Sequence, residues 1–417
     1  MNLIKDFIQL FAVQTTLLND VGNDLSPEMK TFYDMRLLDY AQAELVHDQF
    51  GQKRPIPKNG GKTIEFRAFS PLAKALTALT EGVTPNGNQL DVTAITATVA
   101  QYGDFIVQSD VLELTAIDNT ILEATKLLGR QAGLTQDTIT RNVLVSGTNV
   151  MYAPTWSGSP LAENAVTSRA GLDSTAKLTV DLVEQVVAEL RAQNAPTING
   201  DYVAIIHPYV AYDLMRDPEW RDPHKYVDTE NMYEGEIGKI GGVRFVQTTE
   251  AKIFRGADLL STSRSLTAGA NASGAITSLN VSETLVASAL VGRKIMINGV
   301  VATVTANTTG AISFASTNFG TITSGTTKIY PGEGGKDGLS VFASLFFGDG
   351  AYGVTEVTGG GLQTIVKQKG SAGTADPLDQ RSSVGWKALK TAEILLPSYL
   401  IRLECCSKRY SATAAAN

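Results

Sequence analysis

Two stretches in the first third of the chain alternate apolar and polar residues, a pattern typical of β-strands with one buried face. In residues 63–69, the side chains of Ile64, Phe66 and Ala68 share one face, and the residues between them are charged. Residues 91–110 continue the alternation, and the side chains expected on one face are Ile95, Ala97, Val99, Phe105 and Val107. At about 3.3 Å per residue this second strand would be about 60 Å long, which is longer than a small core can cover.

Residues 70–90 connect these two strands and carry Pro71, Gly82, Pro85 and Gly87. The connection is too long and too often interrupted by these residues to be a tight hairpin turn. We therefore predict a long extended β arm with a mobile tip.

Two other stretches repeat their apolar residues every three or four positions, which indicates amphipathic helices. The longer one covers residues 118–147, with Asp118 as its predicted N-cap, and would extend about 40 Å. The earlier one begins at the capping sequence Ser26-Pro27 and stops at Gly51. Because nothing near it in sequence would bury its apolar face, we predict that residues 1–51 form an arm that packs elsewhere in the structure or on a neighbouring subunit.

The remaining chain divides by composition. Residues 178–256 mix helix and strand patterns and predict a compact α/β domain. Residues 257–335 are rich in Ser, Thr, Ala and Gly and predict a small all-β insertion, in which Asn298-Gly299 forms a tight hairpin turn. The two long strands predicted near the C-terminus are 384–396 and 399–406.

Composition narrows the possible functions. The chain has 417 residues, with 35 Lys and Arg against 42 Asp and Glu, and its net charge of −7 is not that of a protein whose overall surface binds nucleic acid. Charged residues make up 18% of the sequence, below the roughly 25% of ordinary soluble domains. We interpret this low fraction as a sign that extensive surface is buried between subunits.

Several protein classes are excluded by the sequence. The 3 His and 2 Cys are too few for zinc fingers, Cys-ligated clusters or a disulfide scaffold, and Cys405 and Cys406 are interpreted as reduced thiols. No run of about 18 apolar residues predicts a transmembrane helix. Lys5 and Asp6 interrupt what would be the apolar part of a signal peptide, so we predict a cytoplasmic product.

No residues with catalytic spacing emerge. Gly60-Gly61-Lys62-Thr63 imitates the end of a phosphate-binding loop, but Ile56 stands where that loop needs a glycine. The histidines are scattered, and His207 is interpreted as a structural residue. We predict that the protein is not an enzyme and has no catalytic residues, cofactor site or metal site.

Two carboxylate pairs leave an alternative open. Glu230/Glu234 and Asp376/Asp379 could serve glycoside hydrolysis. A solvated loop or a salt bridge between subunits explains the same pairs without chemistry.

One cluster of positive charge lies at the base of the predicted β arm. It contains Lys53, Arg54, Lys58 and Lys62. A nucleic-acid patch is conceivable, but the cluster lacks the interleaved aromatic residues of single-strand binders. Attachment of the arm to an acidic neighbour explains the cluster at least as well.

Six short motifs carry a resemblance to a known family. They are residues 45–57 (LVHDQFGQKRPIP), 60–67 (GGKTIEFR), 79–85 (LTEGVTP), 101–104 (QYGD), 351–357 (AYGVTEV) and 370–378 (GSAGTADPL). Together with the order of the predicted elements, they resemble the major capsid proteins of tailed bacteriophages with the Hong Kong 97-type fold, in the branch typified by the coat protein of phage N-four.

The resemblance implies an α+β capsid fold with a defined division of the chain. The segments it implies are an N-terminal arm (1–51), an extended hairpin loop with peripheral-domain strands (52–110), a spine helix with peripheral domain (111–177), an axial domain (178–256 and 336–358), an all-β insertion on the outer surface (257–335) and C-terminal peripheral-domain strands (359–417).

The function implied by the resemblance is self-assembly. Hexamers and pentamers would form the icosahedral head of a virion, made in the cytoplasm of the bacterial host, around double-stranded DNA held without sequence-specific binding. The other partners implied are a separate scaffolding protein, a portal protein at one vertex and a decoration protein, with no membrane. The residues expected at contacts between subunits are Lys53, Arg54, Lys58, Lys62, Arg67, Glu81, Asp376, Asp379 and Arg381.

One covalent option of the family is not expected. Some relatives cross-link a hairpin lysine to an asparagine of the peripheral domain. Lys58, Lys62 and Lys74 are available as donors, but no asparagine occurs between Gly350 and Ala416. We therefore predict no isopeptide bond of this kind.

Rival functions of other classes remain at this point. A bacterial encapsulin-type compartment shares the fold and would enclose enzyme cargo instead of DNA. A β-rich glycan-binding module or a carboxylate hydrolase would be a small soluble oligomer.

Overall fold

The computed structural model describes residues 46–69, 72, 75–76, 78, 82, 87–90, 92–115, 120–158, 162–220, 238–357, 362–371 and 376–417. Most of the predicted N-terminal arm, most of the tip of the β arm and the predicted cap Asp118 lie outside these residues. The described chain folds into two compact units. Unit 1 comprises the described residues within 46–48, 52–140 and 353–395, and unit 2 comprises those within 49–51, 141–352 and 396–417.

Helices are few and strands are many in the described residues. The α-helices are α1 (Asp110–Thr115), α2 (Thr120–Val145), α3 (Val180–Ala192) and α4 (Pro208–Leu214). The short 3-10 helices are Arg169–Gly171, Lys336–Gly338 and Pro397–Tyr399. The strands before residue 260 are β1 (Gln52–Lys53), β2 (Thr63–Phe69), β3 (Val92–Thr98), β4 (Ala100–Ser109), β5 (Val150–Tyr152), β6 (Thr155–Ser157), β7 (Ala162–Asn164), β8 (Tyr202–Ile206), β9 (Lys239–Ile240), β10 (Val243–Gln247) and β11 (Ile253–Phe254). The later strands are β12 (Leu266–Thr267), β13 (Ala275–Asn280), β14 (Lys294–Ile297), β15 (Val300–Asn307), β16 (Ala311–Asn318), β17 (Lys328–Pro331), β18 (Val341–Phe347), β19 (Tyr352–Glu356), β20 (Gln363–Lys367), β21 (Arg381–Ile394) and β22 (Leu400–Cys405).

Unit 1 is built on a five-stranded sheet organised by β21. This strand pairs antiparallel with β4 over ten consecutive positions, from Arg381 opposite Ser109 to Lys390 opposite Ala100, and it also pairs with β20. Helix α2 packs on the sheet, because Leu128 and Ala132 share a core with residues of β21 that include Trp386. The indole N–H of Trp386 donates to the Gln131 side-chain oxygen at 3.2 Å.

The β2–β3 ribbon of unit 1 is a separate two-stranded antiparallel sheet in which Phe66 lies opposite Ile95. The alternation predicted for residues 63–69 is confirmed where it is described, since Phe66 is buried while Glu65 and Arg67 are exposed. Phe66 and Ala97 pack against Leu395, just beyond the end of β21. A Cβ atom on Gly353 would lie 2.9 Å from the Phe66 ring, so this position admits only glycine without a shift.

The single long strand predicted over residues 91–110 is wrong, because two strands occupy this stretch and belong to two sheets. Val99 separates β3 from β4, and its N–H donates to the Lys62 carbonyl at 2.8 Å. The predicted apolar face of β4 is confirmed at Val107, which is buried, and is wrong at Phe105, which is 58% exposed. Tyr102 and Ile106 of the opposite face pack against the core beneath α2.

Unit 2 contains a seven-stranded mixed sheet in the order β5-β22-β18-β8-β10-β9, with β11 paired to β18. Every residue of β18 is buried, as expected for a central strand covered on both faces. Helix α3 contributes its apolar side, including Val183, Val186 and Leu190, to the core of this unit. Strand β22 lies inside this sheet, because it pairs with β18 over six positions, although the resemblance placed residues 359–417 with the peripheral domain.

The predicted all-β insertion is a six-stranded antiparallel sheet in the order β12-β17-β14-β15-β16-β13. Its apolar residues form a core cluster of their own, in which Phe314 and Phe319 meet edge to face at 5.0 Å. The predicted hairpin turn between β14 and β15 is present, with positive φ at both Asn298 and Gly299. Two positive φ angles are what a tight two-residue hairpin turn requires.

A buried charge cluster ties the 3-10 helix Arg169–Gly171 to strand β22 in unit 2. The Glu404 carboxylate is fully buried and accepts from the Arg169 guanidinium at 2.6 and 2.7 Å, and from Arg402 Nε at 2.9 Å. The next residues, Cys405 and Cys406, are free thiols, and burial raises the pKa of Cys406 to about 12. Both cysteines are therefore protonated structural residues at neutral pH.

We predict that Glu404→Gln destabilises the folded subunit by about 3 kcal/mol, because it leaves two partly buried guanidinium groups without their carboxylate. The measurement is the free energy of unfolding from urea denaturation. Glu184→Gln, which changes an exposed carboxylate on α3, is the matched control and should change stability by less than about 0.5 kcal/mol. Equal stabilities of the two variants would contradict the role of Glu404.

Candidate assembly interface

The β arm of unit 1 presents large apolar side chains to solvent. Among its described residues, Leu72, Leu76, Leu90 and Val92 are between 48% and 87% exposed. Single exposed apolar residues are common, but several on one arm are typical of a surface that binds another protein. These positions are therefore candidates for burial on a neighbouring subunit.

Strand β20 forms a second apolar surface at the edge of the unit 1 sheet. Leu362, Ile365 and Val366 are exposed, and β21 is its pairing partner among the described strands. The other edge of such a strand offers backbone N–H and C=O groups to a partner chain. Sequence reasoning missed this surface, since strand order is not encoded in the local pattern.

The basic cluster at the base of the arm lies on a loop whose backbone is fixed. The backbone N–H of Arg54 donates to the Val354 carbonyl at 3.2 Å, and that of Ile56 donates to the Glu356 carbonyl at 2.8 Å. The Ile56 side chain is buried. The four cations are exposed, and in the described part of the chain none pairs with a carboxylate; they are Lys53, Arg54, Lys58 and Lys62. The structure thus brings these four predicted contact residues together on one rigid loop.

The remaining predicted contact residues separate into different environments. Arg67 lies on the exposed face of β2, where its Nε donates to Glu65 at 2.9 Å, and solvent makes this pair weak. Glu81 lies outside the described residues. Arg381 is exposed at the start of β21.

Asp376 and Asp379 differ in role. Asp376 is buried, and its carboxylate accepts from the Arg381 N–H at 2.8 Å, which fixes the loop that leads into β21. Asp379 is exposed and has a positive φ of 52°. Because the Asp376 carboxylate is engaged by the backbone, the pair has the features of a loop support and not of a pair of hydrolytic groups.

Sequence reasoning also missed an anchor at the start of the described chain. His47 and Asp137 are buried together, with the His47 N–H donating to Asp137 Oδ1 at 2.8 Å and the two side chains 2.7 Å apart. Asp48 pairs with Lys390 of β21 and accepts from Thr140 of α2. These contacts attach residues 47–48 to the helix and sheet of unit 1, and no local pattern links positions so distant in sequence.

The described residues do not meet the requirements of a metal site. In that part of the chain, no group of His, Cys, Asp and Glu side chains could hold a metal ion. His207 Nδ1 accepts from the Tyr209 N–H at 3.1 Å, and burial lowers the His207 pKa to about 4, which fits the predicted structural role. Among the described helices, none has the length and hydropathy needed to cross a membrane.

Comparison with known proteins gives a consistent set of similarities. A family model described as phage capsid protein matches residues 28–308. No protein with a curated function matches the sequence.

Three solved phage capsids share the fold. The capsid of Ralstonia phage GP4 is 12% identical, with 95% of this chain and 99% of that chain covered and a TM-score of 0.56. The capsid of cyanophage Pam1 is also 12% identical, covers 95% and 99% of the two chains, and has a TM-score of 0.53. The capsid of cyanophage P-SCSP1u is 12% identical, covers 94% and 97%, and has a TM-score of 0.53. The predicted α+β capsid fold is confirmed.

We predict that Asp376→Asn lowers the free energy of unfolding by about 1 kcal/mol, because it weakens the charge-assisted bond to the Arg381 N–H. Urea denaturation measures the change. Asp379→Asn is the matched control and should leave stability within about 0.5 kcal/mol, since Asn also tolerates a positive φ. A larger loss in the control than in Asp376→Asn would overturn this assignment.

Proposed function

Because the chain belongs to the phage capsid protein family, whose model matches more than half of it, we propose that it is the major capsid protein of a tailed phage and that it assembles into hexamers and pentamers. The resulting icosahedral head would enclose the double-stranded DNA genome. Its location is the virion capsid, and its synthesis takes place in the bacterial host cytoplasm.

The observation that carries this proposal is the apolar surface that unit 1 leaves exposed. The arm residues Leu76 and Leu90 and the edge-strand residue Val366 would all be desolvated if neighbouring subunits covered them. Burial of apolar area contributes about 25 cal/mol per Å², so each contact is modest and the repetition of many contacts stabilises a shell. The low charged fraction of the sequence agrees with extensive burial of this kind.

The two units agree only in part with the two domains that the family resemblance implies, since residues 141–177 and β22 belong to unit 2. We propose that unit 1 is the peripheral domain with its β-arm loop and that most of unit 2 is the axial domain around the capsomer axes. The insertion formed by β12 to β17 has a core of its own and would lie on the outer surface of the shell. Loop 370–381 would contribute to local threefold contacts.

The charge of each surface indicates the kind of partner that it would bind. The exposed cations of the loop around Arg54 would dock on an acidic surface of the adjacent subunit. The net charge of −7 suits a lining that confines DNA without holding it in place. A separate scaffolding protein, a portal protein at one vertex and a decoration protein are the further partners expected, and no membrane is involved.

The docking role of the basic loop, through Arg54, and of the β2 face, through Arg67, is tested by charge reversal. Arg54→Glu and Arg67→Glu should each reduce the yield of shells by at least about tenfold, because like charges at a contact cost several kcal/mol. Electron microscopy of protein co-expressed with its neighbouring genes counts the shells, and circular dichroism checks that the subunits are folded. Lys294→Glu, on the insertion, is the control that should assemble normally. Normal shells from both arginine variants would rule out this docking role.

The same particles separate the proposed function from its rivals. Shells that contain DNA support the phage head, shells that co-purify with an enzyme cargo support an encapsulin-type compartment, and a small oligomer without shells supports a binding module or hydrolase.

We also predict that mature particles carry no isopeptide bond between a hairpin lysine and the peripheral domain. Residues 351–415 contain no asparagine to accept Lys58, Lys62 or Lys74. Denaturing gel electrophoresis of mature particles should therefore show this chain only at the subunit mass of 44.4 kDa. A ladder of covalent multimers would contradict the prediction.

A further inference from the structure

Unit 2 carries an exposed cluster of tyrosines and arginines that the assembly contacts of unit 1 do not use. It is formed by α4 and the C-terminal segment, and we call it the Tyr-Arg cluster. Its members are Tyr209, Tyr212, Arg216, Arg409 and Tyr410.

The aromatic rings fix the geometry of the cluster. Tyr209 and Tyr410 stack with centroids 4.1 Å apart and an interplanar angle of 12°, and Tyr212 meets Tyr410 edge to face at 5.9 Å. This stack holds the C-terminal segment against α4. Arg409 directly precedes Tyr410 in that segment, and Arg216 lies just beyond the end of α4.

The hydroxyl group of Tyr212 accepts a hydrogen bond from one of these arginines, since Arg216 Nη1 donates to it at 2.9 Å. Arg409 and Arg216 together lower the pKa of Tyr212. Two exposed arginines therefore share this surface with Tyr212, and Lys408 is exposed beside Arg409.

The positive charge of the cluster lacks compensation among the residues that the structure describes. Neither arginine forms a salt bridge there, and the two nearest carboxylates in sequence on α4 and after it are buried. Asp213 accepts from the Lys408 N–H at 3.1 Å, and Asp217 accepts from the Val180 N–H at 3.2 Å. Both carboxylates are thus occupied by backbone groups.

We propose that the Tyr-Arg cluster binds the phosphodiester backbone of double-stranded DNA. A guanidinium group matches the geometry of a phosphate, and two of them on one exposed surface can bind neighbouring phosphates. The inference rests on the proposed function, because a chain with net charge −7 meets duplex DNA at this site only if it encloses that DNA. Contacts to phosphate carry no sequence information, which agrees with the packaging of DNA of any sequence.

The experiment measures binding of the unassembled full-length subunit to a fluorescent DNA duplex of about 24 base pairs. Fluorescence anisotropy is recorded at several salt concentrations. Arg216→Gln/Arg409→Gln should weaken binding at low salt by about tenfold. It should also reduce the slope of log K against log salt by about 1.8, since each phosphate contact contributes about 0.9. Tyr212→Phe keeps both charges, so its slope should stay unchanged while its affinity falls by about two- to threefold.

The matched control removes two other exposed arginines of unit 2. Arg191→Gln/Arg244→Gln makes the same change in net charge and should keep the wild-type affinity and slope. No binding by the wild type, wild-type binding by the cluster variant, or an equal loss in the control would each overturn the proposal.

Electron microscopy of the same variants keeps this inference separate from the proposed function. Normal shells from Arg216→Gln/Arg409→Gln support a DNA contact, whereas loss of shells would make the cluster a contact between subunits and overturn it. If the wild type binds DNA through the cluster but forms no shells, the capsid function fails while the site stands.

Discussion

Unit 1 depends on the pairing register of β21, a strand of fourteen residues. The strand provides ladder partners for β4 and β20, and its buried Trp386 and Ala388 receive α2. Leu395, just past the end of the strand, supports Phe66 at the base of the β2–β3 ribbon. One long strand therefore positions the sheet, the helix and the arm, so an error in its register would displace all three elements together.

The fold of unit 2 is stabilised by apolar side chains buried on both faces of its central sheet. The continuous apolar sequence of β18 is covered on both sides, which gives this unit a core independent of the arm. Glu404 is the exception in that core, and its two arginine partners compensate the cost of burying a carboxylate. The insertion adds a further core, so its sheet folds around its own apolar residues.

The distribution of charge and apolar surface agrees with a subunit made for assembly. Apolar side chains that a monomer leaves to water are found on the arm and on the edge strand β20. Among the described residues, neighbouring exposed cations occur on the loop around Arg54 in unit 1 and in the Tyr-Arg cluster in unit 2. A chain with an overall negative charge can thus present local positive surfaces to different partners, an acidic neighbour in one case and DNA phosphate in the other.

Local patterns in the sequence were sufficient for many elements. The alternation around Phe66, the helical period of α2 and the turn at Asn298-Gly299 each depend on neighbours a few residues apart, and all three are present. The capsid family was also identified from short motifs. The division of residues 91–110 into two strands was not predictable, because Val99 changes ladder only when Lys62 and β21 are in place. The anchor between His47 and Asp137 and the stack of Tyr410 on Tyr209 join positions 90 or more residues apart. Such contacts are decided by the tertiary fold, since no periodicity in the sequence specifies which distant side chains will meet.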